Sequence, residues 1–258
     1  LGCDLPPAKE KQEEQWDLSS TPKDGDRDVP RLGPLSVQLD RRILPRTVAP
    51  LSIQVKSGDV SAYFRPIIEP VGRVIRLELY PRYPLEPDVT YRLAMDSLVD
   101  LDGGWQDKPY EAFFRTGQEL GSYSPFPRVA WSEVAPIFSA SCSLATCHGS
   151  HDPAIDLDLS GPAGIERTAV RVRSRQLPSD LIPAEGARGA LSLAGLNIIE
   201  AQPDVGQSVS SYLLYKVLAD SHILGDSMPP PESSAAPLSK SELKLLSYWI
   251  LSGAPTEE

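Results

Sequence analysis

Residues 79–104 read LYPRYPLEPDVTYRLAMDSLVDLDGG, and this stretch decides the fold of the first half of the chain. Tyr91, Leu93 and Met95 alternate with Arg92 and Ala94, which puts them on one face of a strand. Turn formers bracket that strand: Leu85-Glu86-Pro87-Asp88 before it, Asp102-Gly103-Gly104 after it. Working outward, the same period recurs at Leu35, Val37 and Leu39, at Ile75, Leu77 and Leu79, and at Tyr110, Ala112 and Phe114. Asp24-Gly25 and Ser57-Gly58-Asp59 supply further turns. Short strands that each bury one face predict a β-sandwich over 22–118.

Composition narrows the function classes. The chain has 258 residues, enough for one large domain or two ordinary ones. Its formal net charge is −10, and Lys and Arg form no block, which excludes a nucleic-acid partner. An acidic surface can steer a basic protein partner. No stretch is apolar for long enough to make a membrane helix, so the body is expected to be soluble. The 26 prolines favour turns, edge strands and linkers over long helices.

The first residues, LGCDLPP, place Leu1 and Gly2 before Cys3. They resemble the end of a bacterial lipoprotein signal, which implies a lipidated Cys3; a chance LGC is the other reading. A diacyl or triacyl anchor supplies the chains that stable membrane attachment requires. Export to the periplasm or cell surface, an oxidising compartment, follows from it. The polar run PPAKEKQEEQ suits a flexible tether, assigned to 1–21.

The segments TPKDGDRDVPRLGPLSVQLDRRI, LYPRYPLEPDVTYRLAMDSLVDLDGG and FFRTG resemble the bacterial immunoglobulin-like domain of surface-layer and exported proteins. The matching positions are Pro22 with Gly25, then Leu85, Pro87 and Tyr91, then Asp100 and Gly103. The resemblance implies a seven-strand-type sandwich without catalytic residues, a spacer or interaction module.

Residues 119–130 read as a linker, and the period then becomes helical. Val134, Ile137 and Phe138 share one helix face, as do Leu213, Leu214, Val217 and Leu218. The last helix has the most complete signature. Ser239 and Glu242 form a capping box, and Leu238 with Leu243 can staple it. Leu243, Leu246 and Ile250 make its stripe, and Gly253 with Pro255 stops it. Residues 160–207 carry no strong period and read as an insertion.

The chemistry lies in SCSLATCHGS, residues 141–150. A covalent haem needs two thiols at the porphyrin edge and an adjacent imidazole on iron, which Cys142, Cys147 and His148 can supply. A thioether is the usual sixth ligand of a low-spin carrier. Met95 belongs to the sandwich, whereas Met228 is stiffened by the three prolines that follow it. Two other fates stay open for the cysteines. One is a Cys142–Cys147 disulfide without cofactor in an oxidising compartment. The other is a zinc or copper site from Cys142, Cys147, His148 and His151. His222 is a second candidate sixth ligand, but its polar surroundings suit a surface position, as do those of His151. Arg171, Arg173 and Arg175 read as a solvated face, with haem propionates or a partner as the other possibility. Asp156 and Asp158 lack the rest of a calcium loop. No phosphate loop, nucleophile elbow or HExxH is present.

VAPIFSASC, CHGS, IDLDLSGP, SSYLLYKVL, MPPP and LSKSELKLLSYWILSGA follow one another in the order seen in single-haem, class I-like c-type cytochrome domains, which residues 128–255 resemble. The resemblance implies an all-α cytochrome c-like domain over 131–258 and one covalently attached haem c. It implies Cys142 and Cys147 as attachment points, His148 as proximal and Met228 as distal iron ligand. It also implies that Trp249 packs in the helix crossing or near the haem edge. The departure is the four-residue gap between the cysteines, where two is usual. The expected whole is a sandwich followed by an all-α cytochrome domain. It would be a membrane-anchored electron carrier working with a partner redox protein, rather than an enzyme.

Overall fold

A computed structural model describes residues 16–49, 51–69, 73–121, 127–144, 147–151, 153–174, 193, 196–201, 210–220, 222–223 and 226–256. Cys3 and Arg175 lie outside the described residues.

The alternating stretches form strands, and they build two antiparallel four-stranded sheets. One sheet contains β1 (Leu18–Thr21), β2 (Leu35–Leu39), β6 (Val74–Leu79) and β5 (Phe64–Glu69), in that spatial order. The other has β4 (Val60–Ser61), β3 (Ile53–Ser57), β7 (Thr90–Met95) and β8 (Tyr110–Arg115). The register places Val37 opposite Ile75 and Leu93 opposite Ala112, so inward residues meet inward residues. Their side chains fill one core in which Val37, Ile75, Leu93 and Met95 are fully buried.

Four strands carry the alternation read from the sequence, and β1, β3, β4 and β5 were not foreseen. β1 lies within the stretch assigned to the tether, and Trp16 just before it packs into the sandwich core. β5 breaks the period because Pro66, Ile67 and Ile68 are buried in succession. Pro66 is tolerated because β5 is an edge strand. Ile68 faces the sandwich core. Ile67, absent from that core, lines a cleft under the last helix, which Ile68 also reaches. One sheet is thus covered on both sides.

The expected all-α cytochrome c-like domain is not what the second half forms. Among the described residues all eight strands lie between Leu18 and Arg115, and the second half has four short α-helices set in irregular chain. These are α1 (Trp131–Ser141), α2 (Pro162–Thr168), α3 (Tyr212–Val217) and α4 (Lys240–Leu251). Isolated bridges pair Val170 with Ile199 and Arg173 with Asn197, so part of the expected insertion is held as extended chain. The physical reason is length. α2 and α3 span 7 and 6 residues, too few turns to bury a continuous helical stripe.

Where the helical signature was complete, the helix forms. Ser239 Oγ accepts the Glu242 N–H at 3.3 Å, and Glu242 Oε2 accepts the Ser239 N–H at 2.7 Å. α4 packs across α1, and Trp249 is the fully buried centre of the crossing. Its ring centroid lies 5.6 Å from Phe138, edge-on, and 6.0 Å from Trp131. The indole N–H donates to the Pro255 carbonyl at 3.0 Å, so the one polar atom of the ring is satisfied.

The two halves share a boundary with its own core. Leu44, Val99 and Leu101 from the sandwich pack with Tyr212 and Tyr215 of α3. Beside them Arg42 pairs with Asp220, whose side chain is fully buried.

Candidate cofactor site

α1 delivers the first sulfur. Its apolar face, Val134, Ile137 and Phe138, is buried, and Cys142 caps its end with an N–H to the Phe138 carbonyl at 2.9 Å. The chain then loops and returns. The Cys147 N–H donates to the Leu144 carbonyl at 2.8 Å, and the His148 N–H donates to the Cys142 carbonyl at 3.1 Å. The four-residue gap is therefore closed by main-chain bonds that draw His148 back beside Cys142. Further on, the Leu159 N–H donates to the His148 carbonyl at 2.8 Å.

Cys142, Cys147, His148 and Met228 line one cleft, together with apolar walls that include Leu157, Leu159 and Leu213. The cleft has a cavity volume of about 90 Å³. The sequence separates Met228 from His148 by eighty positions, and the fold brings them to the same walls. Met228 is held by its N–H, which donates to the Lys216 carbonyl at 3.0 Å. Met95 is buried in the sandwich core and takes no part.

The protonation state of His148 suits metal ligation. His148 is 6% exposed, and its Nδ1 lies 3.1 Å from the Leu157 carbonyl. A carbonyl can only accept, so Nδ1 carries the proton and Nε2 keeps its lone pair. Burial lowers the His148 pKa, with a smaller push in the same direction from Lys216, against hydrogen bonds that favour the charged ring. The ring is neutral at neutral pH, as a ligand must be. Burial, with Cys147 nearby, pushes the Cys142 thiol up to about 12. That thiol is protonated and poorly nucleophilic on its own.

Lys216 was missed by the sequence reading. It is 8% exposed and lines the same cleft. Its Nζ donates to the Asp226 carbonyl at 2.9 Å and lies 5.9 Å from the Tyr212 ring centre. Burial pulls its pKa down, against the charge of Asp226. Main chain and side chain of Lys216 together grip 226–228, the segment that presents Met228. The available signal was a lone lysine inside the apolar run YLLYKV.

The remaining candidates lie elsewhere. His222, expected at the surface, is half-buried at the boundary between the halves. Its Nδ1 meets Asp220 at 2.7 Å and its Nε2 meets Asp102 at 3.0 Å. It does not line the cleft. His151 is exposed, and Arg171 and Arg173 are exposed. Among the described residues no three His, Cys, Asp or Glu side chains stand together as a metal site. Cys142 and Cys147 are not joined by a disulfide. Asp156 is exposed, whereas Asp158 is a structural anchor. It accepts from Ser160 N at 3.0 Å and Oγ at 2.6 Å, and pairs with Arg167 at 3.2 Å. The Ser160 bonds, more than Arg167, hold its carboxyl below the usual range. Trp249 belongs to the helix crossing and not to the cleft wall.

Two thiols, a neutral imidazole and a thioether on one apolar cleft are donor types that a covalent haem uses. The cavity is smaller than a porphyrin, so what fits the group is the donor chemistry and not the space.

Among the described residues no helix is long and apolar enough to cross a membrane. No protein-family profile matches the chain, and no curated protein matches it. The chain is distantly similar in fold to solved structures of the bacterial S-layer protein SbsC. Its N-terminal part matches with a TM-score of 0.31 and 14% identity, over 40% of this chain and 24% of that one. Domains 1–6 match with a TM-score of 0.32 and 13% identity, over 45% and 16%. A recombinant piece, residues 31–844, matches with a TM-score of 0.30 and 14% identity, over 37% and 13%. The chain thus spans a quarter or less of each S-layer structure.

Proposed function

We propose that the chain carries one covalently attached haem c and passes single electrons to and from a partner redox protein. The observation that supports this is the convergence of Cys142, Cys147, His148 and Met228 on one apolar cleft. When bound, the haem supplies an iron that takes up and releases one electron. Cys142 and Cys147 would hold the group through their sulfurs. His148 offers Nε2 while the Leu157 carbonyl keeps the proton on Nδ1. Met228 offers a soft sulfur, which favours the reduced iron and raises the potential. Leu157, Leu159 and Leu213 exclude water, and so keep the charge change in an apolar setting. We further propose, on Leu1-Gly2-Cys3, that the protein is exported and anchored through a lipid on Cys3.

The test is to express the chain behind an export signal in a bacterium that matures c-type cytochromes. Intact mass and the visible spectrum are then recorded. A red protein heavier by one haem, with low-spin bands, supports the reading. A colourless protein whose two cysteines become alkylatable only after reduction overturns it in favour of a Cys142–Cys147 disulfide.

A further inference from the structure

A second cleft, about 370 Å³, lies between the outer face of the β5–β6 hairpin and α4. Its walls are apolar: Ile67 from β5, Leu214 from α3, and Leu243, Ile250 and Leu251 from α4. Packed protein interiors leave few voids larger than a water molecule. An apolar cavity of about 150 Å³ already takes up benzene. A cleft of this volume between a helix and a sheet is large enough to receive a ligand. Ligand sites of this volume, apolar with a few polar groups at the edge, are common.

The rim gives the ligand its sign. Glu69 and Arg76 pair with each other. Lys240 and Lys244 stand one turn apart on α4, both exposed, with Lys244 over the Tyr248 ring at 5.5 Å. Among the described residues neither lysine has a salt bridge. Like charges one helical turn apart repel, and an anion over them removes that repulsion. In a chain of net charge −10, two uncompensated cations over an apolar cleft call for a group with a negative head and a hydrocarbon tail.

We propose that this cleft binds a soluble medium-chain carboxylate, a free fatty acid monomer. Its tail lies between α4 and the β5–β6 hairpin, and its carboxylate lies over Lys240 and Lys244. The proposal is independent of the haem reading.

The full chain is titrated calorimetrically with decanoate below its micelle concentration, with decanol, and separately with anionic phosphatidylglycerol vesicles. Saturable one-to-one binding of decanoate is expected, at least tenfold tighter than decanol. K240E/K244E should weaken decanoate at least tenfold, and S247W, which fills the cleft from α4, should abolish it. The double variant changes only exposed positions, so it carries the test if S247W melts early. The proposal is overturned by absence of saturable binding, by equal binding of decanol, or by indifference to charge reversal. Binding to vesicles without binding of monomer also overturns it, and makes this face a membrane contact.

Discussion

Replacing Arg42 with Met should destabilise the contact between the two halves, by an amount that depends on pH. Arg42 pairs with Asp220, whose side chain is 0% exposed. The same carboxylate meets His222 Nδ1, and His222 Nε2 meets Asp102. Only a protonated ring donates to both. Burial opposes that charge, but the hydrogen bonds to Asp102 and Asp220 outweigh it and raise the His222 pKa above its ordinary 6.5. A raised pKa means a stabilisation complete below 6.5 and lost as pH rises through the folded value. With His222 neutral, at about pH 9, R42M leaves a buried carboxylate without a cation. Removing one partner of a buried pair costs about 3–5 kcal/mol. Arg42 is 34% exposed, so water shares the load and the lower end, about 3 kcal/mol, applies. At about pH 6 His222 still neutralises Asp220. The loss then shrinks to one hydrogen bond to a charged group, about 1.5 kcal/mol. Urea unfolding followed by tryptophan fluorescence, on R42M and the parent at both pH values, measures the difference. An equal penalty at the two pH values would refute the reasoning.

His222→Gln should flatten the parent's own decline in stability above about pH 6.5, read in the same urea series. In haem-loaded protein, Met228→Ala should remove the thioether-to-iron band and lower the potential. Lys216→Met should weaken that band while haem mass is retained, because the Asp226 tie is lost. Gly164→Ala puts a Cβ 2.4 Å from Asp158 Cγ and should cost about 1–3 kcal/mol, relieved in the G164A/D158A double variant. Trp249→Ala empties the α1–α4 crossing and should cost about 3–5 kcal/mol in denaturant titration.

Local pattern carried much of this. Strands whose apolar residues alternate, as at Leu35–Leu39 and Thr90–Met95, were legible because one buried face writes period two into the sequence. β5 was not, because Pro66, Ile67 and Ile68 answer to two neighbours at once, the sandwich core and α4. α4 was legible from its capping box and stripe. The all-α second domain was wrong because a matching order of short motifs says nothing about the irregular chain between them. His222 was misplaced for a related reason: polar sequence neighbours hide a partner, Asp102, that lies 120 positions away.

The sequence by itself determined the sandwich, the first and last helices, and the presence of two thiols, an imidazole and a thioether, because each depends on residues close along the chain. The tertiary structure alone decided that Met228 reaches the cleft of Cys142, Cys147 and His148, and that the four-residue gap is closed by the His148–Cys142 bond. It alone put Lys216 in that cleft and joined the halves through Arg42, Asp220 and His222. Those are long-range contacts, set by burial and charge pairing between segments that share no local pattern.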